Sequence, residues 1–179
     1  RPVLDSRTVN YSFGNLQTVF DQAFLFSKVY DKQPENALIL GLGAGSVAEL
    51  IQANVPDCNI TGVELDPEVL RLAYQFFELK RYKNLKVINQ DAAIFLRSNP
   101  QQFDLIAMDI FMDAEIPSMF ETPEMLQLMH QALKPGGILV YNRLQSHPDQ
   151  PFDSHFQQWF PDFVHYESLV NRFRIGRRK

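Results

Sequence analysis

The chain has 179 residues, 45% of them hydrophobic and 21% charged, the balance of one soluble globular domain large enough to bury a core. A formal net charge of −4 and a pI near 5.5 argue against a nucleic-acid partner, and no apolar run approaches the roughly 20 residues of a membrane span. Cys58 is the single cysteine, which excludes an internal disulfide and fits a reducing, cytoplasmic setting; no signal peptide is visible, and a start at Arg1 rather than Met fits a piece of a longer protein.

Residues 1–14 are polar and β-prone and read as a short hairpin. Val19, Phe20, Ala23, Phe24 and Phe26 give residues 16–30 the spacing of an amphipathic helix. Residues 1–36 thus read as an N-terminal extension, and residues 37–179 as the main domain. From Ala37 strand and helix alternate. Residues 37–42 read as a strand, 46–53 as a helix and 60–65 as a strand. Asp66, Pro67 and Glu68 supply a cap, a first-turn proline and a first-turn acid for a helix to about Leu79. Residues 85–89 read as a strand, 92–98 as a helix and 103–109 as a buried strand. Thr122, Pro123 and Glu124 repeat the cap signature for a helix to Leu133, which Pro135-Gly136-Gly137 stops before a strand at 138–142. Residues 154–160 look helical, and 164–169 with 172–175 read as a closing antiparallel hairpin.

Near-continuous apolar strands alternating with helices imply a doubly wound, mostly parallel α/β sheet covered by helices on both faces. Ligands on such sheets bind beyond the carboxyl ends of the strands. That rule gathers Gly41–Gly45, Glu64, Asp91, Asp109 and the region after Asn142. Three alternate glycines, Gly41, Gly43 and Gly45, let the backbone turn sharply and approach a ligand before a helix N-terminus. Glu64 lies nineteen positions after Gly45, where an acid takes ribose hydroxyls. A dinucleotide fingerprint needs its third glycine at 46, and Ser46 stands there.

The motifs LGLGAGS, GVELDP, INQDAAIFL, FDLIAMDIF and LKPGGILV resemble, in order and spacing, those of class I S-adenosylmethionine-dependent methyltransferases. The stretch DIFMDAEIPSMFETPEMLQLMHQALKPGG, residues 109–137, is most similar to the spermidine-synthase-like branch. The resemblance implies a Rossmann-like, seven-stranded fold and a catalytic domain over residues 37–179, with residues 1–36 as the remnant of a β-domain. It implies that the turn at Gly41, Gly43 and Gly45 carries the methionine part of the cofactor. Glu64, followed by Leu65, takes the ribose, and Asp91 and Ala92 sit at the adenine edge. Asp91 can equally cap the helix that begins at Ala92, and both roles can hold at once. Asp66 is assigned to capping.

Asp109 ends a buried strand, and residues 110–121 form a long loop after it; loops of that length in compact domains are usually functional. In polyamine-forming relatives the loop closes over the substrate, and its first aspartate takes a proton from an amine, since only the free amine has a nucleophilic lone pair. Asp109 and Asp113 are therefore the catalytic candidates, with a structural carboxylate bonded to loop amides as the alternative for Asp109. The aminopropyl-transferring relatives carry an acid in the glycine turn, as GGGDGG, to meet the bare ammonium of decarboxylated S-adenosylmethionine. Ala44 stands at that position, Asp109 and Asp113 are four apart instead of three, and no substrate-binding β-domain is recognisable in residues 1–36. No NPPY-type motif follows the fourth strand.

The reading is a transferase: a spermidine-synthase-like methyltransferase using S-adenosylmethionine on a small-molecule acceptor, with an amine as the candidate. The alternatives are an aminopropyltransferase of polyamine biosynthesis using decarboxylated S-adenosylmethionine, and a cofactor-binding partner protein without catalysis. A homodimer is expected by similarity. His130, His147, His155, His165 and Cys58 show no metal-ligand spacing, so no metal is expected. Met125 and Met129 read as core, as does Trp159 with Phe156 and Phe160. Arg172, Arg174, Arg177, Arg178 and Lys179 read as a solvated basic tail rather than a phosphate-binding patch.

Overall fold

The computed structural model describes residues 15–112, 115–168 and 170–179; the expected hairpin at 1–14 lies outside them. The seven strands are β1 (Asn36–Leu40), β2 (Asn59–Glu64), β3 (Leu85–Asn89), β4 (Phe103–Met108), β5 (Leu133–Leu144), β6 (Val164–Glu167) and β7 (Asn171–Arg177). They form one sheet in the order β3-β2-β1-β4-β5-β7-β6. Strands β1 to β5 pair in parallel, whereas β7 is antiparallel to β5 and β6 to β7. The helices are α1 (Asn15–Phe26), α2 (Ser46–Asn54), α3 (Pro67–Phe76), α4 (Ala92–Ser98), α5 (Pro123–Ala132) and α6 (Phe152–Trp159). This is a Rossmann-like doubly wound sheet with an antiparallel C-terminal hairpin.

The central strands β1, β4 and β5 read as apolar runs because they are buried on both faces, whereas β3 and the edge strand β6 are only partly covered. On β1, Ala37 and Ile39 join one core with Phe20 and Phe24 of α1 and Val47 and Ile51 of α2. Leu38 and Leu40 point the other way, into a second core with Phe95 of α4, Leu126 and Met129 of α5 and Phe156 of α6. The amphipathic helix is present as α1, and Phe20 packs edge-to-face on Phe173 of β7 at 5.1 Å between ring centres. Met125, Met129, Phe156 and Phe160 are buried as the sequence suggests.

Of the boundaries that differ from the sequence reading, three have a local cause. Helix α3 stops at Phe76 because Glu78 takes a left-handed conformation, φ 52°, before a 3-10 turn at Leu79–Arg81. Strand β5 begins at Leu133, paired with Phe103, and the register then slips so that Leu105 faces Ile138. Gly136 at φ 78° lets the intervening residues bulge out without ending the strand. At its far end β5 continues to Leu144, held by its pairing with Asn171. No helix among the described residues is long and apolar enough to cross a membrane.

The basic C-terminus is not a solvated tail. Arg172, Arg174 and Arg177 belong to strand β7, and Arg174 is wholly buried. Arg174 Nε donates to Asp153 Oδ1 at 2.6 Å, its Nη2 bonds Asp153 and Asp149, and Arg172 Nη1 donates to Asp149 at 2.6 Å. Burial of Asp149 opposes its ionisation, but these guanidinium groups outweigh that and hold its carboxyl below the ordinary carboxylate range. Arg177 donates to Ser27 O, and Arg178 to Gln131 O. Charge alone cannot reveal this, because the acids that pair the arginines lie in other segments. Removing one partner of a buried ion pair strands the other. Arg174→Ala is therefore expected to lower stability by about 3 kcal/mol or more, read by urea denaturation. Lys179→Ala, whose pair with Asp162 is exposed, should change stability by less than about 0.5 kcal/mol.

Candidate active site

The glycine turn leaves the end of β1 and opens α2. Gly41 N and Leu42 N both donate to Val63 O at 3.0 Å, which hooks the turn over the end of β2. Gly41 has φ 85°, and a Cβ there would stand 2.4 Å from the carbonyl oxygen of Asp109. This glycine is required by the close packing of the β1 and β4 ends. Gly45, φ 90°, is the N-cap of α2 and offers its first-turn amides no side-chain acceptor. The neighbouring helices are each capped by a side chain: α3 by Asp66, α4 by Asp91 and α5 by Thr122. The N-terminus of a helix carries the positive end of its dipole, which favours an anion. Ala44, between the glycines, is buried and brings no charge.

Glu64 closes the turn from the end of β2. Its Oε2 accepts from Gly43 N at 2.9 Å and its Oε1 from Asp66 N at 3.0 Å. Each carboxylate oxygen has two lone pairs, so each retains one acceptor site while the two amides fix the plane of the group. That geometry suits paired acceptance from a vicinal diol. Leu65, next in the chain, is 58% exposed; its carbonyl and that of Glu64 accept from Asn89 Nδ2 at 2.9 Å. Asp91 does cap α4: its Oδ1 accepts from Ala93 N at 2.7 Å and Ile94 N at 3.1 Å. Both bonds use one oxygen, so capping leaves the other available to a ligand donor. Ala92 is buried at the start of the same helix.

Asp109 follows β4, and its backbone N donates to Leu40 O at 2.8 Å. The residue is half-buried at the carboxyl end of the sheet. Burial, above all, pushes its pKa up to about 7; Glu64 adds to the rise, and a hydrogen bond from Asn142 opposes it. Asn142 Nδ2 donates to Asp109 Oδ1 at 2.8 Å, and Asn142 Oδ1 accepts from Asn171 Nδ2 at 3.0 Å. Neither asparagine stands out in the sequence as a partner of Asp109. Asn142 meets it because β5 lies next to β4 in the sheet, and Asn171 meets Asn142 because β7 lies next to β5. Asp113, the second acid, lies outside the described residues.

The segment after Asp109 is more anchored than a bare loop. Met112 and Glu115 exchange backbone bonds at 2.8 and 3.1 Å, and residues Ser118–Glu121 form a 3-10 helix with Phe120 buried. Its far end is tied down from β5 and α6. Tyr141 Oη donates to Phe120 O at 3.2 Å, Arg143 Nε donates to Glu121 Oε1 at 2.9 Å, and His155 Nδ1 lies 3.1 Å from Glu121 O. Among the described residues no cluster of His, Cys, Asp and Glu is arranged to hold a metal ion. A cavity lined by Lys32, Glu35, Asp104 and Gly137 opens at the opposite ends of the strands, away from the end where parallel sheets carry ligands.

The family model described as a methyltransferase domain matches residues 34–171. The chain belongs to this methyltransferase family. Its relatives lie on the spermidine-synthase-like side of the class I superfamily that the motifs resemble. A polyamine aminopropyltransferase of Vibrio vulnificus is 30% identical over 148 residues, 78% of this chain and 50% of the relative. An eEF1A lysine and N-terminal methyltransferase homolog of Drosophila melanogaster is 31% identical over 117 residues, 60% of this chain and 17% of the relative. The chain therefore spans half or less of these curated relatives. In structure, human methyltransferase-like protein 13 in complex with SAH superposes with a TM-score of 0.79 at 21% identity, covering 93% of this chain and 83% of that one.

The packing of Gly41 makes a prediction that needs no ligand. Gly41→Ala would place a methyl group against the Asp109 carbonyl in a left-handed backbone, and should cost about 2 kcal/mol or more. Urea denaturation checks this.

Proposed function

We propose that this chain is an S-adenosylmethionine-dependent methyltransferase of the spermidine-synthase-like type, acting on an amine. The observation that carries the choice of methyl over aminopropyl transfer is Ala44, buried and uncharged in the glycine turn. A bare ammonium in an enclosed site needs a paired anion, and this position supplies none. The zwitterionic tail of ordinary S-adenosylmethionine instead brings a carboxylate, which suits the positive dipole end of α2 behind its glycine N-cap.

In this reading Gly41, Gly43 and Gly45 receive the methionine moiety, Glu64 the ribose hydroxyls, and Leu65, Asp91 and Ala92 the adenine. Asp109 is the base that takes the acceptor's proton, with Asp113 as its partner in the loop. The sulfonium is already a good leaving group, so transfer itself runs on positioning. The nitrogen then needs only to lose a proton, which suits a carboxyl whose pKa lies near working pH. The names of the relatives point to nitrogen acceptors: a lysine and an N-terminus in one, a polyamine in the other. The second reading, aminopropyl transfer, is favoured by the Vibrio relative and by similar aminopropyltransferases of Bifidobacterium longum and Chromobacterium violaceum. A homodimer is proposed by the same similarity.

Calorimetry with the two sulfonium cofactors tests the first claim. S-adenosylmethionine and SAH are expected to bind in the micromolar range, the decarboxylated form more weakly, and Glu64→Ala to lose at least tenfold. Tighter binding of the decarboxylated form would promote the aminopropyl reading, and no binding of either would remove the cofactor from it.

The pH dependence of turnover tests Asp109. A base works only when deprotonated, so kcat/KM should fall by about a decade per pH unit below about 7 and level off above it. Asp109→Asn should abolish turnover while leaving cofactor affinity within about twofold. A fully active Asp109→Asn enzyme would reduce this residue to structure.

A further inference from the structure

Three adjacent strands each bring one polar side chain to the same place beyond β4: Asp109, Asn142 on β5 and Asn171 on β7. Asn142 is wholly buried and Asn171 nearly so, so neither amide can trade its protein partner for bulk water. The hydrogen bonds have one self-consistent direction. An ionised carboxylate only accepts, so Asn142 must turn its Nδ2 toward Asp109. Its Oδ1 then faces Asn171, which must present its own Nδ2. The donor sequence is therefore Asn171 to Asn142 to Asp109. A reversed Asn142 amide would set two acceptor oxygens against each other at the Asp109 end and two donors at the Asn171 end.

We propose that Asn142, with its amide orientation set by Asn171, is a positioning residue that holds the Asp109 carboxylate by Oδ1 and leaves Oδ2 to the acceptor. This rests on the reading of Asp109 as the base. Asn171 does not bond Asp109. It acts only by keeping the donor end of Asn142 turned the right way. The other elements against Asp109 bring the Gly41 turn, which has no charge, and Glu64 at the end of β2, the charged group that acts on Asp109 among the described residues. Glu64 disfavours ionisation of Asp109, so the amide relay is what opposes both Glu64 and burial.

The test reads the Asp109 carboxyl directly and needs no acceptor substrate. The full chain, labelled with 13C, is titrated by NMR, with the Asp109 signal assigned from its loss in Asp109→Asn. Asn142→Ala should raise the Asp109 midpoint by about one pH unit, the order expected for losing a hydrogen bond to a charged group. Asn171→Leu, a near-isosteric change that adds no charge, should raise it by about half a unit. The double variant should match Asn142→Ala alone, because Asn171 acts only through Asn142. Additive shifts, or a midpoint unmoved in folded Asn171→Leu, would overturn the relay. Should Asn142→Ala not fold, Asn171→Leu decides alone, an upward shift supporting the relay and none refuting it. An active Asp109→Asn enzyme would defeat the base reading and yet leave these titrations interpretable, so the two failures are told apart.

Discussion

The close approach of two strand ends organises this molecule. Gly41 at the end of β1 has no side chain, and the carbonyl of Asp109 occupies the space a Cβ would fill. The contact lies at the switch point of the sheet, where β2 lies on one side of β1 and β4 on the other. The glycine turn and the acid after β4 are thereby built as one unit. The same turn hooks onto Val63 and is locked by the Glu64 carboxylate on the Gly43 amide. Three strands of distant sequence thus fix each other's carboxyl ends through backbone groups, the Glu64 carboxylate and the absence of a side chain at Gly41.

On that scaffold two acids face one region with no basic side chain between them among the described residues. Their mutual influence raises the proton affinity of Asp109 beyond what burial does alone. Glu64 is held by amides from two sides, whereas Asp109 is held by a single amide chain reaching back through β5 to β7. The proposed division of labour follows that difference. A carboxylate fixed in plane by backbone donors suits recognition of a diol, and one poised near neutrality suits proton transfer. The antiparallel β7, an edge addition to a parallel fold, contributes the last amide of the chain and the arginines that lock α6 through Asp149 and Asp153.

Much of this was legible in the chain. Alternation of apolar runs with capped helices gives the parallel order because a strand buried on both faces cannot carry a polar stripe. The caps at Asp66, Asp91 and Thr122 form where local chemistry places them, since a cap involves residues two or three apart. Pro135-Gly136-Gly137 marks the end of α5 in the sequence, and the helix does end just before it, but only the pairing of Leu133 with Phe103 shows that the same residues bulge within β5. The C-terminal arginines looked like a solvated tail because linear charge density does not show which acids will surround it.

The sequence by itself determined the local devices: the glycine turn, the acid at each strand end, the helix caps and hence the doubly wound class. These depend on backbone conformation and on neighbours a few residues away. Tertiary structure alone decided what those devices touch. It set Asn142 and Asn171 beside Asp109, buried Arg174 among acids from α6 and its approach, and pressed Gly41 onto the Asp109 carbonyl. Those contacts join residues from 21 to 68 positions apart along the chain, and strand order, not sequence distance, selects them.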